Sequence, residues 1–213
     1  HEDILKYDYV AVNKTLMNFM VNELSSYYCD FTKDILYCSA KNDKRRRQVQ
    51  SVYWQCTDAL VRMWAPFLCY TAEEVWKFFG NDEAESVHYL HLPEVKTYAD
   101  SEEIKAQFET LLEVRSVVTK ALEDARNENL IHSAQEAAVE LSCTEADAAL
   151  LEKGLGSDLA QWLIVSAADV KPAETRSAVI LRASGTKCPR CWNYSEDADS
   201  EGLCPRCRAV LNG

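Results

Sequence analysis

The chain has 213 residues, 47% of them hydrophobic, enough to bury a core in one large or two modest domains with a small module besides. Its formal net charge of −11 excludes indiscriminate attraction to nucleic acid, because an acidic surface repels phosphate at long range and any such contact must be local. No apolar run is long enough to span a bilayer, and the opening residues His1-Glu-Asp-Ile-Leu-Lys6 carry neither an initiator Met nor a targeting signal, so a piece of a longer cytoplasmic protein is expected.

Residues 9–37 place Leu16, Phe19, Met20, Leu24, Tyr27, Phe31 and Ile35 at helical spacing, which predicts one long helix or two joined by a bend. A polar turn over 39–43 precedes a second helical stripe of Val49, Val52, Tyr53, Cys56, Leu60 and Met63, interrupted at Pro66. Thr71-Ala-Glu-Glu74 has the form of a capping box opening a short helix through Trp76 and Phe79 that stops at Gly80. The acidic, weakly periodic stretch 81–100 is expected to be a connector with a short strand over 87–90. Asp100 then opens a helix stacking Ile104, Phe108, Leu111, Arg115, Val118, Leu122 and Ala125. Beyond it, strands over 137–141, 163–170 and 177–182 and a helix over 145–153 ended by Gly154 form a small mixed unit. The expected fold is therefore mainly α: an antiparallel helical bundle (1–80), a connector (81–100), a mixed α/β unit with a long helix (101–185) and a zinc-binding tail (186–213).

That tail carries Cys188-Pro-Arg-Cys191 and Cys204-Pro-Arg-Cys207, two CxxC knuckles with twelve residues between them. Each offers two thiolates from one tight turn, and a hairpin joining them supplies a closed tetrahedral S4 site with no open position, hence one structural zinc ion. Iron has the same ligand set, and two disulfides are the oxidised alternative; an odd total of nine cysteines and no secretory signal favour the metal. Zinc worth about 10 to 16 kcal/mol in small finger peptides would dominate a tail with almost no apolar core, so residues from about 186 to 212 are expected to be disordered without it. Cys29, Cys38, Cys56, Cys69 and Cys143 sit among apolar neighbours and read as small buried hydrophobes. His88 and His91 receive no ligand role, and the sequons at Asn13 and Asn193 are coincidences in a cytoplasmic chain.

Three segments in fixed order carry a family resemblance: Tyr28-Cys-Asp-Phe-Thr-Lys-Asp-Ile-Leu-Tyr37, Leu60-Val-Arg-Met-Trp-Ala-Pro-Phe-Leu68 running into Thr71-Ala-Glu-Glu-Val-Trp76, and Lys187-Cys-Pro-Arg-Cys-Trp-Asn-Tyr194. Together they resemble the C-terminal part of bacterial isoleucyl-tRNA synthetases, the first two the helical anticodon-binding domain and the third the zinc-binding end. The resemblance implies a parent ligase that joins isoleucine to tRNA(Ile) using ATP and Mg in a catalytic domain outside these residues. The family's HIGH and KMSKS signatures do not occur in this sequence, so the piece itself is expected to hold the tRNA anticodon stem-loop without catalysing aminoacylation, and no catalytic residue is assigned.

Two groups are candidates for the RNA contact. Lys41-Asn-Asp-Lys44-Arg45-Arg46-Arg47 has a local net charge of +4 at a helix start, where it either meets phosphates or is a solvated charge run. In the tail, thiolate ligation would fix Trp192 rigidly enough to stack on an unpaired base, with Arg190 beside it for a phosphate or a base edge; the bland reading docks Trp192 against the bundle instead. Basic and acidic side chains balance over 187–213, so specific contacts must supply the attraction. A DNA-repair glycosylase finger and a zinc-ribbon protein-interaction module are the alternative functions.

Overall fold

The computed structural model describes residues 2–79 and 84–212. The chain divides into two units, one built from residues up to 30 together with 41–97, the other from 31–40 together with 98 onward. It is mainly helical with one small mixed sheet, as the sequence pattern implies.

In the first unit a short helix α1 (Glu2–Leu5) turns at Tyr7 into α2 (Tyr9–Asn18), whose first turn is closed by the Asp8 carboxylate accepting from the Ala11 N–H at 3.1 Å. The chain stays helical through Cys38 but widens to π-type geometry over Phe19–Cys29 before α3 (Asp30–Cys38), which groups with the second unit. Within the wider turns Met20 and Leu24 are half-buried. Leu16 and Ile35 are buried as their spacing demands, whereas Phe19 is exposed and nothing in the π segment is fully buried. Helix α4 (Lys44–Trp64) ends just before Pro66, as expected, and α5 (Cys69–Phe79) follows.

Two apolar clusters hold this unit. Val12, Leu16, Leu60 and Trp64 form one, with the Trp64 indole N–H on the Met20 sulfur at 3.0 Å; Val61, Ala65, Ala72, Trp76 and Val87 form the other. The expected capping box at Thr71 is not formed. The Ala72 N–H bonds the Leu68 carbonyl at 2.8 Å, so the helix has already begun and Thr71 lies inside it. Glu73, beside the Glu74 that the box would use, accepts from the Ser86 hydroxyl at 2.8 Å and the Val87 N–H at 3.3 Å. Those bonds also displace the expected strand at 87–90. A 3-10 turn (Val87–Tyr89) takes its place and drives Val87, 2% exposed, into the second cluster. Gly80 and the first three connector positions lie outside the described residues.

The second unit is organised by α6 (Ser101–Asn127), which buries Leu111, Val114, Val118, Leu122 and Ala125 while Ile104 and Phe108 stay exposed. It packs against β1 (Ala137–Cys143) and β3 (Ser177–Arg182). β1 is central, parallel to β2 (Ala167–Pro172) and antiparallel to β3, and its residues alternate strictly between buried and half-buried. Helix α7 (Glu145–Gly154) starts on the Thr144 hydroxyl, which accepts from the Asp147 N–H at 3.2 Å. The strand expected from residue 163 begins only at Ala167. Leu159–Leu163 is a helix, α8, closed by Ile164 in the left-handed conformation with its N–H turned back to the Ala160 and Gln161 carbonyls. Past β3, the tail forms a small hairpin of β4 (Thr186–Lys187) and β5 (Tyr194–Ser195) and a final helix α9 (Pro205–Asn212).

Candidate functional site

The β4–β5 hairpin carries the first knuckle in its loop, and the second knuckle opens α9. The two turns bring the sulfurs of Cys188, Cys191, Cys204 and Cys207 to within 4.8 Å of one another. Tetrahedral zinc at the usual Zn–S length of about 2.3 Å requires sulfurs roughly 3.8 Å apart. The Cys191 and Cys204 sulfurs stand 3.7 Å apart. Cys188, Cys204 and Cys207 are buried and Cys191 is partly so, which closes the site to substrate. At Cys188 burial opposes ionisation, but backbone N–H groups of Cys204, Cys191 and Arg190 bring the thiol below its ordinary value, while burial raises the thiols of Cys191 and Cys204. The donor set therefore fits a structural metal of the closed S4 type, and its residues are those expected from the knuckle spacing.

The arginine of each Cys-Pro-Arg-Cys turn reaches back to α3. Arg190 Nη1 donates to the Cys207 sulfur at 3.5 Å and to the Cys38 carbonyl at 2.6 Å, and its Nη2 donates to the Tyr37 carbonyl at 3.3 Å. Arg206 clamps Asp34 with both terminal nitrogens, at 2.5 and 2.6 Å. Both arginines thus anchor on α3, and Arg190 also reaches a cysteine of the opposite knuckle. Two guanidinium charges lie beside the net charge of about −2 that four thiolates around a zinc ion would carry, and the Asp34 carboxylate matches one of them. Arg190 also supplies cationic donors to carbonyls at the C-terminal end of α3, where helix geometry leaves them without partners.

Asp34 accepts from the Gln161 amide as well. Burial would raise its carboxyl, but the Arg206 guanidinium and the Gln161 amide hold it below the usual carboxylate range. Burial and the neighbouring Asp34 charge push the Cys38 thiol up to about 11, and that thiol lies 3.9 Å from the Arg190 carbonyl. Sequence reasoning passed over Asp34 and α3 as the seat of the knuckles; the repeated arginine in the two turns was the available signal. A further pin joins the hairpin to the sheet, since the Tyr194 N–H donates to the Ser166 hydroxyl at 2.7 Å and that hydroxyl donates to the Gln135 carbonyl at 2.5 Å.

Trp192, beside the knuckle, is 61% exposed and adopts φ 68, its N–H bound to the Cys188 carbonyl at 2.9 Å. In the first unit the basic cluster opens α4. Asp43 caps that helix by accepting from the Arg46 N–H at 2.8 Å, which supplies the negative charge a basic helix start needs. Lys41, Lys44 and Arg47 are exposed, the last hydrogen-bonded to Gln50 and Asn42, while Arg45 and Arg46 are half-buried. Of the remaining cysteines, Cys38 and Cys143 are buried, Cys29 and Cys56 half-buried and Cys69 exposed. The His88 ring lies 3.3 Å from the Cys69 carbonyl.

Residues 1–141 match the family model of the anticodon-binding domain of tRNA ligase, and residues 185–210 match the model of the zinc finger found in FPG and IleRS. The chain belongs to the family of tRNA-ligase anticodon-binding domains. It is 37% identical over 220 residues to the isoleucine–tRNA ligases of Bacillus cereus (strain B4264) and Bacillus anthracis (strain A0248), and equally to isoleucine–tRNA ligase 1 of Bacillus thuringiensis subsp. konkukian (strain 97-27). Each alignment covers 96% of this chain and 24% of the relative, so the chain spans about a quarter of the length of the curated relatives it matches. The finger match and the four-sulfur cluster together support a structural zinc ion.

Proposed function

We propose that this chain is the tRNA-holding, anticodon-recognising C-terminal part of an isoleucine–tRNA ligase, whose remaining domains bind ATP and Mg and attach isoleucine to tRNA(Ile) in the cytoplasm. The observation that carries the reading is the co-occurrence, in one chain, of an anticodon-binding helical domain and a closed four-sulfur module. One zinc ion held by Cys188, Cys191, Cys204 and Cys207 has no open position, so it fixes backbone and does not act on substrate. It holds Trp192 in solvent beside the hairpin, ready to stack on an unpaired loop base. Arg190 positions the knuckle on α3 and contributes cationic character next to that indole. Lys41, Lys44, Arg45, Arg46 and Arg47 supply the phosphate contacts that an acidic chain cannot supply by its overall field. No helix among the described residues is long and apolar enough to cross a membrane.

Competitive binding of the zinc-loaded chain to tRNA with the isoleucine anticodon, to a tRNA with another anticodon and to duplex DNA tests the reading. Preference for the isoleucine anticodon is expected. Preference for duplex DNA would turn the assignment to a glycosylase-type finger, and failure to bind any nucleic acid would turn it to a protein-interaction module.

A further inference from the structure

Tyr37 lies in the last turn of α3 and is 77% exposed. Its backbone is not left to fray. The Tyr37 carbonyl accepts from Arg190 Nη2 at 3.3 Å, the next carbonyl accepts from Nη1 at 2.6 Å, and the Cys38 thiol lies 3.9 Å from the Arg190 carbonyl. Two residues beyond Arg190, Trp192 holds its indole in solvent from a backbone fixed by the first knuckle. Two exposed aromatic rings thus issue from chain segments tied to one guanidinium, which is itself tethered to the Cys207 sulfur.

Charge around the hairpin is balanced, so the surface is poorly suited to drawing in a phosphate backbone by field alone and better suited to stacking. Proteins that read unpaired RNA do so by splaying bases onto aromatic faces held at fixed positions. An aromatic on a bare helix end would pay ordering entropy for backbone and side chain at each encounter; one whose carbonyl is already clamped pays it for the side chain alone. We propose that Tyr37 and Trp192 form a two-ring platform on which unpaired bases of a tRNA loop stack. This rests on the reading of the chain as a tRNA-holding part, and it adds to that reading a residue on α3, outside the knuckles.

The test titrates the zinc-loaded 213-residue chain with anticodon stem-loop RNAs, each carrying 2-aminopurine at one unpaired loop position, whose fluorescence is quenched on stacking. Tyr37→Ala and Tyr37→Leu are expected to lose about tenfold in affinity and the quenching at one loop position, with zinc content unchanged, and Tyr37→Phe to restore both. Trp192→Ala should remove the quenching at a different loop position. If the wild-type chain quenches but Tyr37→Ala quenches identically, or if Tyr37→Ala weakens binding without changing the quenching at any position, the platform is wrong. If the wild-type chain does not bind the stem-loop at all, it is the tRNA-holding reading that fails, and the platform with it.

Discussion

At Gly185, immediately before β4, the backbone has φ +90, and a Cβ built there would meet the carbonyl carbon and oxygen of Ser195 at about 2.3 Å. Both facts demand glycine: the left-handed region disfavours any side chain, and the opposing strand leaves no room for one. Gly185→Ala must therefore open the hairpin that carries the first knuckle. Strain of about 1 to 3 kcal/mol acting on the metal-binding conformation corresponds to a loss of zinc affinity of roughly five- to 150-fold. Competition with a chromophoric chelator measures it, and unchanged affinity would show that the knuckle forms independently of its strand pair. The four clustered sulfurs were legible in the sequence because the spacing of a CxxC turn is local. Asp34 was not, because its partner Arg206 lies 172 residues further along the chain and a lone aspartate on a helix has no signature. The same limit applies to Arg190. Its residue type suggested a phosphate or a base edge, but the carbonyls at the end of α3 that occupy it are invisible until the fold brings them there.

Among the elements, α6, α7 and the β2–β3 connection are tied by Arg176, which donates to both Asp147 oxygens at 2.8 Å and to Glu113 at 2.7 Å. The guanidinium holds the buried Asp147 carboxyl below the usual carboxylate range. A carboxyl that binds its proton more weakly folded than unfolded contributes stability in full above its unfolded value of about 3.9, and loses that contribution as pH falls through the lower folded value. Asp147→Asn should cost about 3 kcal/mol at pH 7, where it leaves Arg176 short of its main partner. The gap from wild type should close as the pH is lowered toward 3. Denaturant melts of both chains at the two pH values check this, and a gap independent of pH would assign the loss to packing. In the hydrophobic core, Val118 on α6 is fully buried, and Val118→Ala is expected to cost about 2 kcal/mol with no change in zinc content. Elements such as β1 and β3 were legible because alternation and propensity are written in neighbouring residues. Those that differed were decided by tertiary contacts. Glu73 bound Ser86 and Val87 and turned the expected strand into a 3-10 turn, and the π-type stretch from Phe19 to Cys29 left Phe19 at the surface while Met20 and Leu24 still pack against Val12 and Leu16.

For the whole molecule, the question is how a chain of net charge −11 holds a polyanion. The answer proposed divides the work: exposed Lys41, Lys44 and Arg47 at the start of α4 meet phosphates, while the zinc module contributes stacking that depends little on field. The two contributions respond to different perturbations. Replacing these three side chains by Gln should weaken binding to all tRNAs alike and reduce the slope of log affinity against log salt by about 2, from roughly 0.7 per single-strand phosphate contact. Anticodon preference should survive that change. Chelation should do the reverse. The tail buries little beyond its own cysteines and Leu203, so without metal the amides of 186–212 should lose exchange protection, together with the last turn of α3 that Arg190 caps, while those of α4 keep theirs. Anticodon preference should then fall with the salt slope nearly unchanged. Hydrogen exchange and salt titrations on the same chelated sample decide the matter: a tail that stays protected without metal would remove zinc from the account. A preference that survives chelation would place the recognition of the loop on the helices alone.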